Sequence, residues 1–137
     1  MLMIKAVAGI LLHEDKILVA KRPIGKPYSG YFEFPGGKIE KHETSYEALV
    51  RELYEELGVL VISAQAICQH ADTYPDKDVM LDVWLVSHFS GTPEGKENQE
   101  LTWVTWQQLT TLNVLEGNIA IIRFLSESRL MTQLMQA

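Results

Sequence analysis

Glu52, Glu55 and Glu56 bring three carboxylates onto little more than one turn of a helical segment. At about 100° per residue, Glu55 and Glu56 fall within about 60° either side of Glu52. Tyr46, Leu49, Val50, Leu53 and Leu57 crowd the neighbouring arc, so one face packs and the next is acidic. Like charges three and four residues apart repel. The cation in reach is Arg51, spaced to pair with Glu47 and Glu55. Ala48 falls in the acidic arc, where its small side chain leaves room for approach. Crowded carboxylate oxygens with too little compensating charge suit Mg²⁺ or Mn²⁺. On these residues alone, a solvated acidic face is the alternative.

The surroundings carry more. Gly37, Glu43, Arg51, Glu52, Leu53, Glu55, Glu56, Gly58 and Val59 stand at the spacing G-x5-E-x7-R-E-U-x-E-E-x-G-U, where U is a bulky aliphatic. This resembles the signature of the Nudix hydrolases, with every fixed position filled. The resemblance implies an α/β/α sandwich around a mixed sheet, one domain over residues 1–137, and hydrolysis of a nucleoside phosphoanhydride. That chemistry needs a metal on the phosphate oxygens, an in-line water and a base for its proton. By position, Glu52 is the base or a metal-bound orienter, and Glu55 and Glu56 are metal ligands. The Gly36 carbonyl completes the inner shell, and Arg51 holds the carboxylates in place. Lys38 is a phosphate contact or a solvated loop lysine.

Beyond this stretch the chain resembles the MutT-like branch of the family, which removes 8-oxo-dGTP from the nucleotide pool. The matches are Val7-Ala8-Gly9-Ile10, Glu33 to Glu40, Trp84-Leu85-Val86, Gly95-Lys96-Glu97 and Asn118. They imply that Glu97 approaches the metals from a loop, that Arg22 and Phe34 lie at the nucleotide, and that Asn118 reads the base. Lys77 stands where the branch has an arginine and lacks its planar fork. Guanine shows two acceptors, O6 and N7; in 8-oxoguanine N7 carries hydrogen, and one carboxamide matches the resulting acceptor–donor edge. Asn118 also stands where a last helix should begin, and Asn is a favoured N-cap. Two alternatives remain open: a diphosphatase for CTP or other pyrimidine nucleotides, and a nucleotide-sensing domain that does not hydrolyse.

Elements must position these groups. Residues 4–12 and 17–20 read as strands around a polar turn, Pro23 to Gly30 as a loop, and Tyr31 to Phe34 as a short strand entering a sharp turn at Pro35-Gly36-Gly37. The helix runs from Ser45, with Thr44 and Glu47 as a capping box, to Leu57, closed by Gly58. Val59 to Cys68, Val79 to Phe89 and Leu101 to Val104 read as strands, Gly91 to Gln99 as a loop, and Trp106 to Leu109 as one helical turn. A last helix is expected over Asn118 to Leu134; Ser126 to Ala137 suggests no role. Mixed strands and helices of this kind make an α/β or α+β fold.

Composition agrees. The chain has 137 residues, 47% hydrophobic and 22% charged, and a formal net charge of -6, which suits one globular domain and argues against a duplex nucleic acid partner. A nucleoside triphosphate held by so acidic a chain calls for a divalent cation. Cys68 stands alone, so no intrachain disulfide is expected and a reducing cytoplasm is the expected setting. The N-terminal apolar run is too short to span a membrane. Trp84, Trp103 and Trp106 read as core or pocket wall, and oligomeric state is not indicated.

Overall fold

The computed structural model describes residues 2–128. Strand β1 (Leu2–His13) is the hub of the sheet. It forms a tight hairpin with β2 (Lys16–Lys21), turned by Glu14 at φ 59°. It also pairs antiparallel with β4 (Gly36–Lys38), and in parallel with β6 (Lys77–Ser90) from Leu2↔Lys77 to Leu11↔Val86. β5 (Leu60–Tyr74) pairs with β6, while β3 (Phe32–Glu33) and β7 (Glu100–Val104) pair with β2. The result is a mixed sheet of seven strands.

Alternation along β1 supplies both faces. Val7 and Leu11 join Leu18, Val59 and Val86 against helix α1 (Ser45–Leu57), which contributes Ala48, Leu49, Leu53 and Leu57. Ala8 and Ile10 join Ile17, Val19, Val83 and Leu85 on the other face, under α2 (Trp106–Leu109) and α3 (Glu116–Ser128). Each fully buried Leu or Ile here contributes about 1.5–3 kcal/mol. The expected sandwich around a mixed sheet is what forms.

Helix α1 has the expected bounds because its ends are written locally. The Thr44 side chain accepts from the Glu47 N–H, the Glu47 side chain accepts from the Thr44 N–H, and Gly58 closes the helix at φ 73°. Its depth on the sheet is set at Gly9. A Cβ built there would stand 3.2 Å from the Leu53 Cδ1 and 3.3 Å from the Leu49 Cδ1.

The structure departs from expectation in four places. Gly36 and Gly37 do not turn; they are extended residues of β4, and a Cβ at Gly36 would overlap the Val7 carbonyl of β1. Glycine serves close approach here, not a positive φ. Ala48 is fully buried in the core, because the sheet reaches farther round α1 than the wheel alone reveals. The β5–β6 hairpin is longer than the apolar runs, since cross-strand polar pairs such as Gln69 Nε2 to Asp82 Oδ1 (2.7 Å) extend it. Finally, α3 begins at Glu116, so Asn118 lies inside its first turn and is not its cap. Leu130, Leu134 and most of the 126–137 stretch lie outside the described residues. No helix among the described residues is long and apolar enough to cross a membrane.

Candidate active site

The acidic face of α1 opens beside β4. Gly37 is the floor on which Glu52 rests: a Cβ there would overlap the Glu52 carboxyl carbon and stand 2.5 and 2.6 Å from its two oxygens. No other residue type leaves that carboxylate its place. On its far side, Arg51 Nη1 donates to Glu52 Oε1 at 2.9 Å. The Glu56 Oε2 accepts from the Gly36 N–H at 2.9 Å, so neighbouring residues of one strand address two of the three glutamates. Glu55 stays half exposed and takes a longer 3.4 Å contact from Arg51.

Arg51 is the organiser. Its Nε and Nη2 grip Glu43 in a fork, at 2.7 and 2.9 Å, and Nη2 also donates to the Lys38 carbonyl at 2.9 Å. This fork holds the Glu43 carboxyl down at about 2 and pushes the Arg51 guanidinium further up. The expected pairing with Glu55 is present; the one with Glu47 is not, because the capping box engages Glu47. Glu43, from the loop before α1, takes its place.

Beyond Glu56 a cleft of about 230 Å³ is lined by Arg22, Lys26, Glu33, Gly36, Glu56, Glu97 and Gln99, among others. Arg22 is held from within it, with Nη1 donating to Glu33 Oε2 at 3.0 Å and Nε to the Pro27 carbonyl at 2.6 Å. Glu33 enters the sequence reading only within the matched stretch Glu33 to Glu40, and Lys26 and Gln99 only as part of loops. Their roles arise from contacts between distant segments and leave no local pattern. Lys38 is exposed and outside the lining, offering only its carbonyl to Arg51. Lys77 opens β6 opposite Tyr74 and Leu2, also outside the lining. Phe34 is 6% exposed and belongs to the core. Its backbone serves instead: the Phe34 N–H donates to the Asn118 Oδ1 at 2.8 Å.

The electrostatics favour a cation. Burial first, then the charges of Glu52 and Glu97, raise the Glu56 carboxyl to about 8, against a Gly36 hydrogen bond that pulls it down. Burial raises Glu52 as well, despite Arg51. Among the described residues no three acidic, His or Cys side chains are drawn together tightly enough to form a ready cation cage. Yet the donors are all oxygen, and they fit a hard divalent cation that would replace the proton which burial favours on Glu56.

A stability prediction follows. The folded protein keeps a proton on Glu56 that the unfolded chain sheds at its ordinary 4.5. Between about pH 4.5 and 8 the native state therefore binds more protons, and stability of the metal-free protein falls as pH rises. The loss of Glu43 ionisation lies below this window. Melting in a chelator should drop by roughly 10 °C from pH 5.5 to 8, equivalent to a few kcal/mol. Mg²⁺ should restore most of it at pH 8 and little at pH 5.5. A melting point that climbs with pH in the chelator would contradict the Glu56 assignment.

Helix-borne acids opposed to a glycine strand, on a mixed sheet between helical layers, stand where the sequence signature places them. The chain belongs to the NUDIX family, whose domain matches residues 3–125, and it is a Nudix hydrolase. It is 34% identical over 122 residues to a CTP pyrophosphohydrolase of Escherichia coli, covering 89% of this chain and 90% of that protein. It is 35% identical over 127 residues to an 8-oxo-dGTP diphosphatase of Haemophilus influenzae, covering 91% and 93%. Among solved structures, the Escherichia coli ORF135 protein superposes with a TM-score of 0.83 at 33% identity over 94% of each chain. A MutT from work on Aliivibrio salmonicida and Vibrio cholerae gives 0.78 at 36% identity over 88% and 94%.

Proposed function

We propose that this enzyme hydrolyses nucleoside triphosphates to the monophosphate and pyrophosphate with Mg²⁺ or Mn²⁺, and that 8-oxo-dGTP is its preferred substrate. The observation that carries the first part is the Glu52 carboxylate, seated on Gly37 and braced by Arg51, beside a Glu56 carboxyl that burial and the neighbouring acids push up. Glu56, Glu55, Glu52, Glu97 and the Gly36 carbonyl would hold the metal. When bound, it neutralises phosphate oxygens and makes a coordinated water more acidic. Glu52, raised by burial, accepts the proton of the attacking water. Water oxygen bonds to one phosphorus of the α–β bridge as the bridging oxygen departs with the other product, giving monophosphate and pyrophosphate. Arg22 and Lys26 face the phosphates across the cleft. Its lining holds Glu33, Glu56 and Glu97 against these two cations, a balance that one divalent ion turns positive. No membrane or duplex partner enters this reading, and a cytoplasmic nucleotide pool is its natural setting.

Asn118 carries the second part. Its Oδ1 already accepts from the Phe34 N–H, which fixes the carboxamide so that one oxygen lone pair and the NH₂ remain for a base. That presents an acceptor beside a donor. It suits N7–H and O6 of 8-oxoguanine, and sets oxygen against a bare N7 in guanine, leaving polar groups unpaired.

The same geometry favours a second reading. Cytosine offers an N4 donor beside an N3 acceptor, which the carboxamide meets equally well, and a CTP pyrophosphohydrolase is among the relatives. The ratio of kcat/KM for 8-oxo-dGTP and CTP in the wild type separates the two, and Asn118→Asp tests whether this side chain reads a base at all. Aspartate keeps the acceptor for Phe34 and removes the donor. The substitution should lower kcat/KM for 8-oxo-dGTP at least tenfold and for dGTP less than threefold. An unchanged ranking of 8-oxo-dGTP, dGTP and CTP would leave Asn118 a purely structural tie.

A further inference from the structure

The turn bearing Glu97 is fastened to the end of α1. The Glu94 N–H donates to the Leu57 carbonyl at 2.9 Å and the Lys96 N–H to the Glu56 carbonyl at 3.0 Å, meeting carbonyls that a helix leaves open at its C-terminus. Gln99 adds a contact of a different kind. Its Nε2 donates to the same Glu56 carbonyl at 3.3 Å, while its Oε1 accepts from the Glu97 N–H at 2.7 Å. One carboxamide thus spans the backbones of two acids that line the cleft. The turn between is tight: Asn98 sits at φ 65°, and a Cβ at Gly95 would overlap the Gln99 carbonyl.

We infer that Gln99 is a positioning residue for the divalent-cation site. By joining the Glu97 amide to the Glu56 carbonyl, it sets the span between the loop carboxylate and the helix carboxylates, so Glu97 reaches the cation without further ordering. A carboxamide accepts and donates at once, which neither a carboxylate nor an aliphatic side chain does. This rests on the metal-binding reading above. Outer groups that orient ligands in this way are typically worth about 10- to 100-fold in metal affinity.

Mn²⁺ binding to the resting protein, read by electron paramagnetic resonance without nucleotide, tests it in wild type, Gln99→Leu, Glu97→Gln and the double variant. Gln99→Met, unbranched and close in volume, stands in if the leucine variant folds poorly. Gln99→Leu or Gln99→Met should weaken Mn²⁺ about tenfold. In the Glu97→Gln background the same change should cost less than twofold, since the two residues act through one contact. Amide exchange at Glu97 should also speed up. Equal losses with and without Glu97, or affinity within twofold of wild type, would overturn the inference alone. A wild type that takes up no Mn²⁺ would overturn the metal reading and this inference together.

Discussion

Glu52→Gln is expected to lower kcat/KM by roughly 10³- to 10⁴-fold while leaving the fold intact, the size expected for losing a positioned base beside a metal. The change removes one charge and almost no volume. The amide is the same size as the carboxylate that lies against Gly37. Arg51 loses one partner but keeps its fork on Glu43, so the scaffold around the site stays anchored. Burial already disfavours the Glu52 charge in the absence of a cation. The metal-free variant should therefore melt at or slightly above the wild-type temperature. Paired kinetic and melting measurements check both halves. Substantial residual turnover would move the base elsewhere, whereas a large fall in melting temperature would mean that Glu52 serves the fold.

Gly37→Ala should be nearly as damaging for a different reason. The new methyl would occupy the place of the Glu52 carboxylate, so either β4 or the side chain must move. The methyl meets only the end of the Glu52 side chain, so the cost falls on the placement of that carboxylate more than on the fold. A reacting group displaced by about 1 Å loses on the order of 10²-fold in rate. Because the loss acts through Glu52, adding Gly37→Ala to Glu52→Gln should cost little more activity. Independent, multiplying losses would show that Gly37 matters for something other than seating that carboxylate.

These two positions show how much the sequence could reveal. Thr44, Glu47 and Gly58 mark the ends of α1 locally, and the acids sit on one helix at fixed angles, so their grouping follows from periodicity alone. Gly37 was legible as a fixed position but not in its action. An extended glycine that makes room for a side chain looks, in sequence, like a turn. The brace on Arg51 was half legible: Glu55 lies on the same helix, but Glu43 reaches it from a preceding loop. Contacts between distant segments were not legible. The Gln99 side chain meets a carbonyl 43 positions earlier, and Asn118 holds an N–H 84 positions earlier. Helical position alone made Asn118 a cap; the sheet beneath α3 gives its side chain a different partner.

Steady-state turnover of 8-oxo-dGTP, dGTP and CTP, with products identified and with Mg²⁺ or chelator, addresses both the catalytic site and the base it reads. Mg²⁺-dependent release of pyrophosphate and monophosphate is expected, with kcat/KM for 8-oxo-dGTP at least about 100-fold above that for dGTP. Absence of Mg²⁺-dependent turnover on all three would contradict the catalytic site. Equal efficiency on 8-oxo-dGTP and dGTP would contradict the base-reading role of Asn118.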